Sequence, residues 1–219
     1  MWYRPGYGSM TVWSTLLVLI LIGVVAAAIR ISIDWRNVAA GTVPPEDSYD
    51  HRYALHPVLA YTHILPGVIF LLGAPLQLSR RLRQRHIVLH RRIGRVLVAA
   101  GVTAGILAIV FGTLFAFGGP LETSATVLFG GYFVTALVTA LIAIKKRDIA
   151  RHRRWMIRAF AIGLAIGTIR IWIGLFQALG VLSFQDSFGP AFWLSFVSHA
   201  LAAEVYLTKR PRVRTAQVV

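Results

Sequence analysis

Long apolar runs alternate with short polar connections along the chain, and six of them approach the about 20 residues a membrane-spanning helix needs. The first run, Thr11–Ile29, ends at Arg30, a residue expected to snorkel outward. A polar connection follows through Asp34, Pro44-Pro45 and Glu46-Asp47-Ser48. The second run starts at Pro57, where a missing N–H costs nothing in the first turn, and reaches Leu78 with an expected kink at Pro66. Val96–Gly118 is the third, closed by Gly118-Gly119-Pro120, and Ser124–Ile144 is the fourth. Ala159–Leu179 is the fifth, interrupted by Arg170, and Pro190–Leu207 the sixth, interrupted by Glu204. The pattern predicts an all-α, polytopic transmembrane helical bundle of six spans. It forms one integral membrane domain over 1–219 that ends in a short basic tail, 209–219.

The first run has a second reading. Arg4, an apolar core and Ala26-Ala27-Ala28 resemble a signal peptide with a small-residue cleavage site. The apolar stretch outlasts the alanines and continues to Ile33, which favours a retained helix.

Charge sets the orientation. Eighteen of the 23 basic residues fall in Arg80–Arg95, Lys145–Arg158 and Lys209–Arg214. Asp34, Glu46, Asp47, Asp50, Glu122 and Asp186 lie in the alternate connections. Lys and Arg beside spanning helices stay on the cytoplasmic side, so both termini are expected there. The chain is 57% hydrophobic and 14% charged, outside the range of soluble domains. Its formal charge of +15 sits in turns between apolar runs, which points to anionic lipid headgroups at the cytoplasmic leaflet and away from nucleic acid. With no cysteine, disulfides, thiolate metal sites and cysteine-ligated iron–sulfur clusters are excluded.

Two motifs stand out within the basic stretches. His90-Arg91-Arg92-Ile93-Gly94-Arg95 and His152-Arg153-Arg154-Trp155-Met156-Ile157-Arg158 open the third and fifth helices. With Ala74-Pro75-Leu76-Gln77-Leu78 before the first motif and Ala202-Ala203-Glu204 in the last helix, the layout from Tyr53 to Leu207 resembles domain-of-unknown-function family 2306. That resemblance implies a multi-pass protein of the bacterial inner membrane and carries no activity. At His199 the family pattern leads one to expect Asn, a departure that weakens any mechanism requiring this histidine.

At 1.5 Å per helical residue, His63 lies about 9 Å, and His199 and Arg170 about 14 Å, below the outer ends of their helices. The three are expected to share one layer, without a carboxylate unless Asp186 reaches in. Ionisable groups at that depth usually face the bundle interior or a cavity. Against this stands the plainer reading that each is satisfied by local backbone. Glu204 and Arg158 fall at one level and are expected to form a structural ion pair. Arg91, Arg92, Arg95, Arg153 and Arg154 read as headgroup contacts.

His90 and His152 occupy corresponding positions on parallel helices and could clamp a b-type haem, with neighbouring arginines on its propionates. His86 and His90 also have divalent-metal spacing, but the surrounding arginines make a cation unwelcome, so no metal site is expected. The leading reading is a haem b protein that moves electrons, with His90 and His152 at one level and His63 and His199 at another. A second is binding or transport of a lipophilic anion or quinone, with Arg170 as charge contact and His63 as hydrogen-bonding partner. A third is an accessory subunit for another membrane protein, or a homo-oligomer. Gly163 and Gly167 at small-xxx-small spacing allow the close helix approach that such contacts use.

Overall fold

The computed structural model describes residues 7–209, and the side chains of 7–10, Arg80 and Arg81 are outside that description. Every regular element among the described residues is an α-helix. The order is α1 Tyr7–Ala40, α2 His51–Leu55, α3 Pro57–Leu78, α4 Arg80–Arg85, α5 Ile87–Leu114, α6 Gly119–Lys145, α7 Ile149–Leu179 and α8 Phe188–Thr208. The expected tail lies, beyond Lys209, outside the described residues.

Five helices among the described residues, α1, α3, α5, α6 and α7, are long and apolar enough to cross a membrane. The last helix falls outside this set: Ser195, Ser198, His199 and Glu204 dilute its hydropathy, and it packs along α6 and α7. Outward surfaces carry large apolar side chains, among them Leu17, Leu21, Val58, Val96 and Leu201. Such a surface suits a hydrocarbon solvent.

α3, α5, α6 and α7 form a four-sided bundle in chain order, with α3 closing weakly on α7. α5 and α7 make no direct backbone approach and face each other diagonally. α1 lies against α7 and, more lightly, α3. The interior mixes small and large residues. Ala125, Ala136, Ala140, Ala159 and Ala165 are completely buried, and Phe70 meets Phe133 edge-on at 5.3 Å. Close packing of this kind holds helices together where lipid provides no hydrophobic drive. The Gly163/Gly167 pair serves the interior: a methyl at Gly163 would meet Phe70, and one at Gly167 would collide with the Leu19 backbone on α1.

Several boundaries differ from the sequence expectation, each for a local reason. α1 runs through Asp34 to Ala40 because Arg30 and Asp34, one turn apart, pair on the helix. Arg30 therefore does not snorkel; it is 7% exposed and bridges Asp34 and Asp50. α5 and α7 begin at Ile87 and Ile149, so both His-Arg motifs are helical from their first residue. α5 stops at Leu114 with Phe115 as its cap, and Gly119-Pro120 opens α6 instead of closing α5. α3 passes through Pro66 and Pro75 without breaking.

Candidate functional sites at the two ends of the bundle

The arginine-rich motifs gather at one end. His90 and His152 project from the diagonal helices α5 and α7 and lie within electrostatic reach of each other, beside Arg83 and Arg91. The His152 Nδ1 lies 2.9 Å from the Ala140 carbonyl on α6. A carbonyl can only accept, so Nδ1 carries a proton, and in the neutral ring the Nε2 lone pair is then free. The His90 Nδ1 is shielded from solvent and has no partner. Gln77, at the last turn of α3, also has a shielded, unpaired Nε2. A methyl added at Gly94, one turn along α5 from His90, would come within 3.3 Å of the Gln77 Oε1. Two orphaned polar atoms, a fixed imidazole tautomer and a glycine gap thus share this end. Buried polar atoms without partners are rare enough to call for a reason.

Arg91, Arg92, Arg95 and Arg153 are exposed around this group, and Arg154 is half-buried. His86 caps α5 and is exposed, outside the helix proper. Nearby, the Arg158 Nε and Nη2 donate to the two Glu204 carboxylate oxygens at 2.6 and 2.9 Å. The expected α7–α8 ion pair is therefore present, with Arg158 also 4.7 Å from the centre of the Trp155 ring.

The expected layer of His63, His199 and Arg170 does not form a single constellation. His63 on α3 sets its Nδ1 2.8 Å from the Ala104 carbonyl on α5. His199 on α8 has its Nε2 2.7 Å from the Thr168 hydroxyl on α7, and the Ala161 carbonyl engages the same ring. α3 and α8 do not touch. Each histidine thus has a partner within its own helix pair. Asp186 bonds the Ser183 hydroxyl at 2.6 Å and does not reach in.

Arg170 instead belongs to a polar cluster at the opposite end, assembled by residues that the sequence pattern placed in a loop. The segment 44–56, including α2, folds over this end as a strap. Asp50 and Asp34 hold Arg30, and Tyr61 on α3 donates to the second Asp34 oxygen at 2.7 Å. Arg30 also lies over the Tyr53 ring at 4.6 Å. Tyr49 and Tyr53 share a hydroxyl–hydroxyl bond of 2.9 Å. Arg170 comes within hydrogen-bonding reach of the Tyr49 hydroxyl, while its Nε is shielded and unpaired. Arg52 stacks 4.4 Å from the Tyr49 ring centre and donates to the Phe115 carbonyl at 2.5 Å, and its Nε is likewise unpaired. Phe117, Phe184 and Phe188 close around Tyr49 with ring centres 5.1–5.9 Å away. A carboxylate does reach this level: the 5%-exposed Glu122 acts electrostatically on Arg170 while accepting from the Gly118 N–H at 2.6 Å. One signal was available in advance, the i,i+4 spacing of Arg30 and Asp34.

Comparison with known proteins gives a family and no activity. Residues 60–207 match the model of domain-of-unknown-function family 2306, described as a predicted membrane protein. The chain belongs to this family. No curated protein and no solved structure matches it.

Proposed function

We propose that this family member is a six-span protein of the bacterial inner membrane that holds one b-type haem at its arginine-rich end and passes electrons through it. The observation that carries this reading is the placement of His90 and His152 across the bundle diagonal. There the His152 Nδ1–H is committed to Ala140 and, in the neutral ring, its Nε2 lone pair is free. A backbone carbonyl on the far nitrogen is the usual way a metal-bound imidazole is oriented and made more basic. Haem would supply one-electron chemistry. His90 and His152 would hold its iron, and Arg91 and Arg153 would take its carboxylates as charge-assisted bonds. His63 and His199 are left out of the proposed ligand set, because neither ring lies within electrostatic reach of the other, as those of His90 and His152 do.

Protein expressed with haem supply and purified in mild detergent should show a Soret band. His90→Ala and His152→Ala should each remove it, while His86→Ala should leave it unchanged. A colourless, folded wild-type protein would sink the reading.

The same proposal places residues 84 and 147 in the cytoplasm and residues 46–50 and Gly119 outside, with α8 crossing as the sixth span. Reporter fusions at those positions should divide accordingly, and the reverse division would overturn the orientation.

A further inference from the structure

The cluster under the strap contains two guanidinium groups whose bonding is incomplete. Arg170 and Arg52 approach the same phenol from different helices, and the Nε–H of each is shielded without an acceptor. Neither forms an ion pair among the described residues. The neighbouring carboxylates are already engaged: Asp34 and Asp50 by Arg30, and Glu122 in part by the Gly118 N–H. Arg170 has one nearby carboxylate, Glu122, and Arg52 has aromatic rings in place of one, which leaves room for one more negative charge. An unmatched buried guanidinium is costly, and in a membrane protein such groups usually mark a ligand or a pathway.

Tyr49 lies between the two guanidiniums: its hydroxyl is within hydrogen-bonding reach of Arg170, and Arg52 lies over its ring. Tyr49 lies on the connection between α1 and α2, outside the bundle helices and just after Pro44-Pro45. Its ring packs on the core through Phe188, so its departure uncovers apolar surface that a ligand's apolar body would cover again. The walls around it are aromatic, with Phe117, Phe184 and Phe188 against its ring. An inorganic ion would gain nothing from those walls, whereas an apolar body would.

We infer that Arg52 and Arg170 form a head-group site for an anionic amphiphile, an oxyanion carried on an apolar body, and that the Tyr49 side chain fills that site when the strap is closed. The oxyanion accepts from both guanidiniums, including the unpaired Nε–H groups, as charge-assisted bonds. Its apolar portion lies against the phenylalanine rings. A fatty-acid carboxylate and a lipid phosphate share this chemistry. The site lies at the opposite end from the proposed haem and does not depend on it.

Thermal unfolding in a non-ionic detergent tests this with dodecanoate and dodecyl phosphate as probes and dodecanol as the neutral control. At least one anion should raise the unfolding temperature saturably, and dodecanol should not. A response to dodecanoate alone identifies the carboxylate source, and to dodecyl phosphate alone the phosphate source. Arg52→Gln and Arg170→Gln should each weaken binding about ten-fold or more, the loss of a charged hydrogen bond. Should Arg170→Gln fail to fold, Arg52→Gln decides the matter, since Arg52 lies on the strap and outside the bundle. Tyr49→Phe removes the resident hydroxyl and should tighten binding, which a purely structural tyrosine would not do. Lys145→Gln with Arg151→Gln should leave binding intact. No saturable shift with either anion would overturn the proposal. So would binding that survives Arg52→Gln, weakens in Tyr49→Phe, or disappears with the Lys145/Arg151 pair.

Discussion

Arg158 on α7 grips both carboxylate oxygens of Glu204 on α8, and this fork is the only ion pair joining those two helices among the described residues. Bidentate geometry fixes direction as well as distance. Glu204 is nevertheless 45% exposed at its side chain, so solvent or headgroups screen part of the attraction. Glu204→Gln should therefore cost about 1 kcal/mol, within the range for exposed pairs with good geometry. Arg158→Leu with Glu204→Leu should recover much of that loss, because no charge is left unpaired. Thermal unfolding of the single and double variants measures the coupling. A double variant that simply adds the two single losses would show that the pair is not energetically coupled.

Arg30 is the stronger anchor. Its side chain and that of Asp34 are 8% and 9% exposed, and the same guanidinium holds Asp50 on the strap. Arg30→Leu leaves two carboxylates facing each other without their cation. The loss of fold stability should reach about 3–5 kcal/mol, as when one partner of a buried pair is removed. Asp50→Asn should cost less, because Asp34 still pairs with Arg30. Its main effect should be faster protease cleavage between residues 41 and 50, with the bundle intact. Equal protection of that segment in wild type and Asp50→Asn would show that Asp50 does not secure the strap.

Tyr49 and Tyr53 should titrate in opposite directions from an ordinary phenol. Burial pushes Tyr49 up, but Arg170, Arg52 and the bond to Tyr53 outweigh it, and its pKa is lowered. Burial, then the neighbouring Tyr49, drives Tyr53 well above the usual range. A phenol lowered in the folded state and near 10 when unfolded binds fewer protons folded than unfolded across that interval. Stability from Tyr49 should then grow as pH rises from its lowered value towards about 10, and level off beyond. Tyr53 acts oppositely, since stability falls once pH exceeds about 10. Absorbance near the phenolate band should show one component below pH 10 that vanishes in Tyr49→Phe and moves upward in Arg170→Gln. A titration unchanged by Arg170→Gln would remove the guanidinium as the cause.

The apolar runs made the helices legible because spanning length and composition are local properties. The same reading placed Arg158 beside Glu204, since each lies at a definable depth on a helix. It brought His90 and His152 to one end for the same reason. It failed for the cluster around Arg170, whose partners Tyr49 and Arg52 lie in a polar connection with no periodicity to aim them. Depth along a helix is visible in sequence, whereas rotation about the helix axis is much less so for weakly amphipathic spans. His63 and His199 therefore both lie well inside their helices yet turn towards different neighbours, Ala104 and Thr168.

That separation has a measurable consequence. His63 bonds the Ala104 carbonyl between α3 and α5, whereas Arg170 meets Tyr49 beneath the strap. The two share no hydrogen-bonding partner. His63→Phe removes a bond to a carbonyl that already serves its own helix, so its cost should be about 0.5–1.5 kcal/mol, that of an ordinary hydrogen bond. Arg170→Leu removes a deeply placed charge and also strips Tyr49 and Glu122 of their cation. It should therefore destabilise the bare protein, because the buried Glu122 is left without its cation, and it should abolish all stabilisation by dodecanoate or dodecyl phosphate. His63→Phe should leave that stabilisation intact. The double variant should equal the sum of the singles within about 0.3–0.5 kcal/mol, as independent sites do. A larger departure in thermal unfolding would mean that the two residues are coupled through the bundle after all.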